Sequence, residues 1–530
     1  MTPPDRTLAL VAAVFALLVI GAAPSVDWLD AGSLLSSAWV LGVAHPPGEP
    51  GWLAPARLAM LLPFGDLAFR VNLLSALCLA GCAVPLLLLV RGLVGAEEPR
   101  TEVFAVVIGL LGYGARMQGN RAEVYGLVAL LLLGSLAAAV ARPGPRSSGA
   151  MGFLLGLAAT VHPLLAAAAT PALLLARGLR GRVGVTDASH AVGWGLVGFA
   201  AYAWLPVRAR VSPADAWGVP ADLPRFVDVL LGRNFARNFG DSAFVDNLGV
   251  VLGAHALAGL AIVAILAGCA WLLRGEVSAP ARALAWAVPV WLIGNALTIL
   301  PQNKVFGTNP DLLGYLLVGA LGAVPLGALG LAALRRVDGS PLERLGPVLV
   351  VIAWVFLAFV VVDGLSASRR GNDLARQFAT AQAAELPPGA VLVVSGNDTA
   401  FTWQYLQQVE RRRSDVLVVP RVLLGHHHQR LRLERRLSDV GIPWTPQLRD
   451  RPVPLLRAGT RPAFVELREP ELPDQLSAHG LVVSVAPSAE SPALAALREA
   501  TLDALEGPVA AGDTEAALVA ALFRDLRGER

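Results

Sequence analysis

Two carboxylates three positions apart, Asp27 and Asp30, follow directly on the first long apolar run. His45 closes the same stretch, PSVDWLDAGSLLSSAWVLGVAHPPGEPGW over residues 24–52. A carboxylate there could take the proton of an attacking hydroxyl, with His45 and Trp28 beside it to orient what binds. Further along, Glu123 opens another apolar run next to Arg121, and Arg208 and Arg210 stand just past the end of a third, in WLPVRAR. A guanidinium so placed has the shape to grip a phosphate at two points. Each group also has a purely structural reading. Asp27 and Asp30 could cap the helix that follows them, Glu123 could complement a helix dipole, and Arg208, Arg210 and Arg237 could snorkel to lipid headgroups.

These residues must be positioned by membrane elements. Hydrophobic residues make up 55% of the 530 and charged residues 16%, the balance of a polytopic membrane protein and not of a soluble domain. A span needs roughly 20 mostly apolar residues. By that measure the spans are 8–23, 69–90, 102–116, 123–141, a broken pair within 151–176, 190–206, 248–273, 282–300, 312–334 and 346–362. The first run lacks a small-residue cleavage pattern and reads as a retained helix, not a signal peptide. Residues 31–43, with Leu34, Leu35, Ala38, Leu41 and Gly42 at helical spacing, predict a short amphipathic helix lying along the membrane surface. His45-Pro46-Pro47-Gly48 stops it ahead of residues 53–62, which are too short to span and read as re-entrant or interfacial. We read 24–52 as an active-site loop.

The run 151–176 decides the topology. A helix break at His162-Pro163, where proline removes a backbone bond and crowds the preceding turn, puts Arg91, Arg100, Arg142, Arg146, Arg177, Arg180, Arg182, Arg274, Arg282, Arg335, Arg336 and Arg344 on one face. Arginine enrichment makes that face cytoplasmic. The acidic loop, the turn before Glu123, the long loop after Arg208, the loop 301–311 and everything after Asp363 then share the opposite, extracytoplasmic side. Net charge is only +3 and Lys304 is the sole lysine, so no nucleic-acid partner is expected. Cys78, Cys82 and Cys269 all fall in apolar runs and read as packing residues, with no disulfide framework or metal cluster. Residues 366–530 change to charged, proline-punctuated sequence. There AVLVV and VLVVP flank a helically spaced stretch, which predicts a small α/β domain.

The pattern DAGxxxxxAxxLGVAHPPGxPGW resembles the first external loop of a family of membrane glycosyltransferases related to the bacterial protein O-mannosyltransferases, within the GT-C superfamily. Asp30 and His45 match; Ser33 stands where the family has Glu, and Glu49 where it has Tyr. Ala122-Glu123-Val124-Tyr125 is similar to a second acidic signature. Trp204–Ala209, Asp215-Ala216-Trp217-Gly218 and Gly232-Arg233-Asn234-Phe235 are similar to a third block. His162, Asn309-Pro310-Asp311 with Tyr315, and the tail from Gly389 to Glu410 also match. The resemblance implies an α-helical polytopic fold with about 10–12 transmembrane helices over residues 1–365, followed by a soluble extracytoplasmic α/β domain over 366–530.

It also implies a hexosyltransferase that uses a polyprenyl-phosphate-linked sugar, mannose, and a hydroxyl acceptor on a protein or glycan, in a bacterial cell membrane. On that reading Asp30 is the base with Asp27 as its substitute, and Glu123 could hold acceptor, metal or donor phosphate. Arg208, Arg233 and Lys304 would bind the phosphate, and His45, Trp28, Tyr125, His162 and Asp311 would orient substrate. A divalent metal is left open as a cofactor, and so is the oligomeric state.

Two other classes stay open: a polyprenyl-lipid transporter or flippase, which should show paired internal halves, and a non-catalytic lipid or glycan sensor. His162 reads better as a buried histidine satisfied by a carbonyl freed at the proline break. The run His426-His427-His428 reads as a solvated loop, since consecutive side chains diverge and cannot share one ion well.

Overall fold

A computed structural model describes residues 2–95, 98–233, 243–256, 278–303, 310–334 and 346–445, and beyond these 448, 456, 459–466, 477–479, 482–484 and 503. Helix α1 (Pro3–Gly21) starts on a capping box between Thr2 and Asp5 and buries only Val14, Leu18 and Gly21. An apolar helix with so little of itself covered is one whose remaining faces are meant for lipid. Among the described residues, three helices are long and apolar enough to cross a membrane: Pro3–Gly21, Leu67–Val94 and Asp311–Ala332. Shorter apolar helices pack between and beside them, and Leu77, Leu88, Val192, Trp194, Trp286, Ile293 and Phe359 leave large apolar surfaces uncovered.

The break at His162-Pro163 is present. One helix ends at Ala159 and the next runs Pro163–Arg180, with His162 at its N-cap, where the ring Nδ1 accepts from the Leu165 N–H. The histidine is thus satisfied by a backbone amide and not by the carbonyl expected. At the end of the bundle that carries Arg91, the buried Glu102 takes Arg91 at 2.8 Å and Arg6 at 3.1 Å. Cys78 and Cys82 are buried thiols without a bridge, and Cys269 lies outside the described residues.

The loop after α1 departs most from expectation. Helix α2 (Ala31–Val40) ends before the prolines, because Leu41 turns left-handed (φ 49°) and its N–H closes on Ala38 and Ser37. Residues Ala31 to Ala38 are all buried, so α2 does not lie with one face in water. The helix Asn397–Gln408 of the tail covers it. A methyl on Gly32 would sit 2.4 Å from the Phe401 carbonyl oxygen, and only a glycine lets two helices approach so closely. Glu49, left-handed at φ 49°, then starts α3 (Pro50–Met60), which at eleven residues does not cross.

The last helix before the tail runs Gly346–Ser366. Beyond it, β1 (Val391–Val394), β2 (Leu417–Pro420), β3 (Ala463–Val465), β4 (Ser477–His479) and β5 (Val482–Ser484) form one sheet in the order β2-β1-β3-β5-β4. β1 pairs parallel with β2 and β3, Val391 opposite Leu417 and Ala463, and the β3-β5-β4 edge is antiparallel. The helix Asn397–Gln408 joins β1 to β2, the strand–helix–strand order expected. One residue of this domain's core comes from the distant loop: Trp28 is buried against Phe378, ring centroids 5.7 Å apart.

Candidate active site

Asp30 occupies the N-cap of α2, yet its side chain makes no capping bond. Its Oδ2 instead lies 3.5 Å from His45 Nε2, and 39% of the side chain is exposed. That geometry decides against the capping reading, since a cap spends its carboxylate on the amides of the first turn. His45 reaches Asp30 because the turn ending in Gly48, whose N–H donates to the His45 carbonyl at 2.8 Å, folds the chain back beside the start of α2. The same turn brings Glu49 Oε1 to 3.7 Å from His45 Nε2. Burial pushes the His45 imidazole down, but the carboxylates of Asp30, Glu49 and Asp311 outweigh it and hold it above its ordinary value. Glu49 is pushed up to about 7, by burial first and then by Asp30, against the pull of His45.

A second group stands against the first. Arg121, fully buried, places Nη2 2.9 Å from Asp311 Oδ1 and 3.2 Å from Glu123 Oε1. Glu123 is fixed through its backbone: its carbonyl accepts from Trp52 Nε1 at 3.1 Å and its N–H donates to Ser75 Oγ at 3.2 Å. Beside the acids, Tyr125, His162 and Tyr315 form a three-ring cluster with centroid separations of 5.0–5.8 Å. Tyr125 fits there because residue 314 is glycine; a methyl at that position would lie 2.2 Å from its ring. A further carboxylate comes from the tail. Asp398 is raised above its ordinary value by burial first, while its bond from Leu29 lowers it; Asp30 is near enough to raise it and Arg121 to lower it.

The structure therefore brings Asp30, His45, Glu123, Tyr125, His162 and Asp311 together, and adds Glu49, Arg121 and Asp398. Other expected members sit elsewhere. Asp27 is buried and turned onto Arg369 Nε at 3.6 Å, with its Oδ1 accepting from the Trp28 N–H, so it is not beside Asp30. Trp28 belongs to the tail's core. Arg208 Nη2 donates to the Val40 carbonyl at 2.9 Å and stands 3.8 Å from Asp215. It thus closes the C-terminal end of α2, about 15 Å from Asp30 at 1.5 Å per residue. Arg233 pairs with Asp228 at the surface, 2.7 Å away. Lys304 lies outside the described residues. Nor is the histidine run a solvated loop: His427 opens the helix His427–Ser438 and His428 is buried. The rings of His426 and His428 pack at a tilt against Trp217, with centroids 4.8 and 4.6 Å away. Ser33, where the family has Glu, is also buried near these rings, beside Ser37, Gln404 and Arg432. Among the described residues, no three of His, Cys, Asp and Glu are grouped as a metal site.

Residues 30–180, the segment that carries Asp30, His45, Arg121, Glu123 and His162, match the model of the "Protein O-mannosyl-transferase TMEM260 N-terminal domain". Protein O-mannosyl-transferase TMEM260 of Mus musculus is 27% identical over 487 residues, 83% of this chain and 65% of the mouse protein. In sequence the chain is similar to protein O-mannosyl-transferases, and in fold to ArnT. The chain spans just under two thirds of that mouse relative's length. ArnT from Cupriavidus metallidurans superposes on 92% of the chain. Bound to undecaprenyl phosphate, it gives a TM-score of 0.57 at 13% identity over 98% of that chain; in the apo state, 0.59 at 14% over 99%. At such identity the likeness is one of fold, and with the apolar helices it makes this chain an integral membrane protein.

Proposed function

We propose that the chain is a membrane glycosyltransferase that moves a sugar, mannose, from a polyprenyl-phosphate-linked donor to a hydroxyl acceptor at the extracytoplasmic face of a bacterial cell membrane. The observation that carries this reading is the Asp30 carboxylate, left free by its own helix, half-open to solvent and braced by His45. The acceptor oxygen attacks the anomeric carbon as Asp30 takes its proton, the bond from that carbon to the phosphate oxygen breaks, and polyprenyl phosphate leaves with the electron pair. Attack from the side opposite the phosphate inverts the linkage. Proton transfer of this kind contributes about 10²–10⁴ in rate.

Arg121 serves the donor indirectly. Five acids, Asp30, Glu49, Glu123, Asp311 and Asp398, crowd this site, and those that are ionised would repel an anionic lipid phosphate. The guanidinium held between Glu123 and Asp311 offsets that field and fixes both acids to line the sugar or acceptor. The phosphorus of a donor is a few ångströms from the carbon under attack, so Arg208, a helix length from Asp30, is not placed to hold it. ArnT bound to undecaprenyl phosphate shares the fold, which supports a donor that arrives by membrane.

The test is sugar transfer by the purified full chain in lipid, from polyprenyl-phosphate mannose to hydroxyl-bearing peptides. Asp30→Asn is expected to lower kcat at least a hundredfold, and full transfer by that variant removes Asp30 as base. Mass spectrometry of exported proteins from a deletion strain, searching for hexoses lost from Ser and Thr, identifies the acceptor.

A further inference from the structure

Among the contacts that the tail makes with the membrane domain, one falls on the backbone amide next to Asp30. Leu29, the residue before Asp30, is left-handed at φ 60°, a conformation that a side chain with a Cβ disfavours. Its N–H donates to Asp398 Oδ1 at 2.8 Å, from a residue 369 positions away. On the other side of Leu29, the Trp28 ring is buried in the tail's core against Phe378. The two residues before the base are thus gripped by the tail, one through its ring and one through its amide. Asp398 is itself held firmly. It lies in the first turn of Asn397–Gln408, and Glu466, buried at the end of β3, accepts from the Ser395 N–H at 2.7 Å and from Thr399 Oγ1 at 3.0 Å.

We propose that Asp398 is a positioning residue for sugar transfer: by holding the Leu29 amide, it keeps the backbone in the left-handed turn that aims the Asp30 carboxylate at His45 and the acceptor. The tail is then part of the catalytic apparatus, and a chain without it would lose the alignment of its base. This rests on the reading of Asp30 as base given above. The alignment acts on the step in which the proton moves. It therefore belongs in kcat and not in the binding of donor, since a small displacement of a reacting group costs rate more than affinity.

The full-length chain in lipid, with polyprenyl-phosphate mannose as donor, tests it with three variants. Asp398→Ala is expected to lower kcat tenfold or more with donor KM within about twofold of wild type. Asp398→Asn keeps an acceptor oxygen at the same place and is expected to stay within about threefold. Leu29→Gly added to Asp398→Ala removes the penalty of the left-handed turn and is expected to recover part of the lost rate. Hydrogen exchange of residues 29–34, which needs no activity, should accelerate in Asp398→Ala and not in Asp398→Asn.

Normal kcat with unchanged exchange in Asp398→Ala overturns the proposal, and so does an Asp398→Asn as slow as Asp398→Ala. If Asp398→Ala does not fold, recovery of folding and transfer on adding Leu29→Gly upholds it, and failure of both variants to fold overturns it. If wild type itself transfers no sugar, the glycosyltransferase reading fails while the exchange data still decide whether Asp398 clamps the loop.

Discussion

The Asp30 carboxylate and the His45 imidazole face each other at 3.5 Å, and Glu49 stands 3.7 Å from the same ring nitrogen. Three groups sharing so few protons make the site sensitive to pH, and Glu49 gives the clearest signature. Its pKa rises from 4.5 to about 7 in the folded chain, so the fold is disfavoured where Glu49 is ionised. Below pH 4.5 both folded and unfolded forms hold the proton and no stability is lost. Between 4.5 and 7 the loss grows, and above 7 it is constant, at up to about 3 kcal/mol. Glu49→Gln is therefore expected to raise the melting temperature relative to wild type at pH 8 and to change it little near pH 4.5. A shift of the same size at both would show that Glu49 is not held proton-rich.

Arg121 carries a larger stake. It is fully buried between Asp311 and Glu123, and removing one partner of a buried ionic group costs about 3–5 kcal/mol because the others stay desolvated and uncompensated. Arg121→Ala is expected to lose most folded protein in a thermal-shift or expression assay. Arg121→Lys should recover little, since a single ammonium cannot match a planar guanidinium set between two carboxylates. Adding Glu123→Gln and Asp311→Asn to Arg121→Gln should restore folding but not transfer, separating the structural role of the trio from its role in the site.

Much of this arrangement was legible in the order of residues, because local rules govern it. The acidic loop follows an apolar run, proline breaks the helix pair at His162, and β-branched runs flank a helical stretch in the tail. The errors share one physical origin, partners far apart in the chain. Arg121 reads as half of a local pair with Glu123, and nothing near it announces Asp311. The spacing of α2 correctly gives a helix, but what covers its outer face is Phe401. Trp28 next to the acids reads as a residue that orients substrate until the tail closes over it. The histidine run does diverge, as consecutive side chains must, and that is how His426 and His428 both reach Trp217 while His427 begins a helix. Asp398 lies in the tail stretch that resembles the family, but its contact left no signal, since it is made to a backbone amide and any residue 29 except proline supplies one.

Arg208 provides a direct contest between two roles. Its bond to the Val40 carbonyl closes the C-terminal end of α2, where a cation also complements the helix dipole. Arg208→Ala should then cost about 1.5–3 kcal/mol of stability, as for other hydrogen bonds from charged groups. The KM values for donor and acceptor should move together and by less than about threefold. A rise in donor KM alone, of tenfold or more, would return Arg208 to the phosphate.

Gly32 tests whether the tail must sit where it does. A methyl at this position would lie 2.4 Å from the Phe401 carbonyl oxygen, and since one side of the contact is helix backbone, no flexible side chain can give way. Overpacking of this kind costs about 1–3 kcal/mol, and the cheapest relief is for Asn397–Gln408 to lift from α2. Lifting it would draw Trp28 from its place against Phe378 and break the Asp398 bond to Leu29, so the injury should reach Asp30 although residue 32 touches no substrate. Gly32→Ala is accordingly expected to make the link between Ser366 and Leu374 more sensitive to limited proteolysis and to lower kcat at least tenfold. Ser36→Ala, one turn along on the same helix, loses only a side-chain bond to the Gly32 carbonyl and should change neither. Gly32→Ala with wild-type kcat and an intact tail would mean that α2 and the tail can separate without disturbing the base.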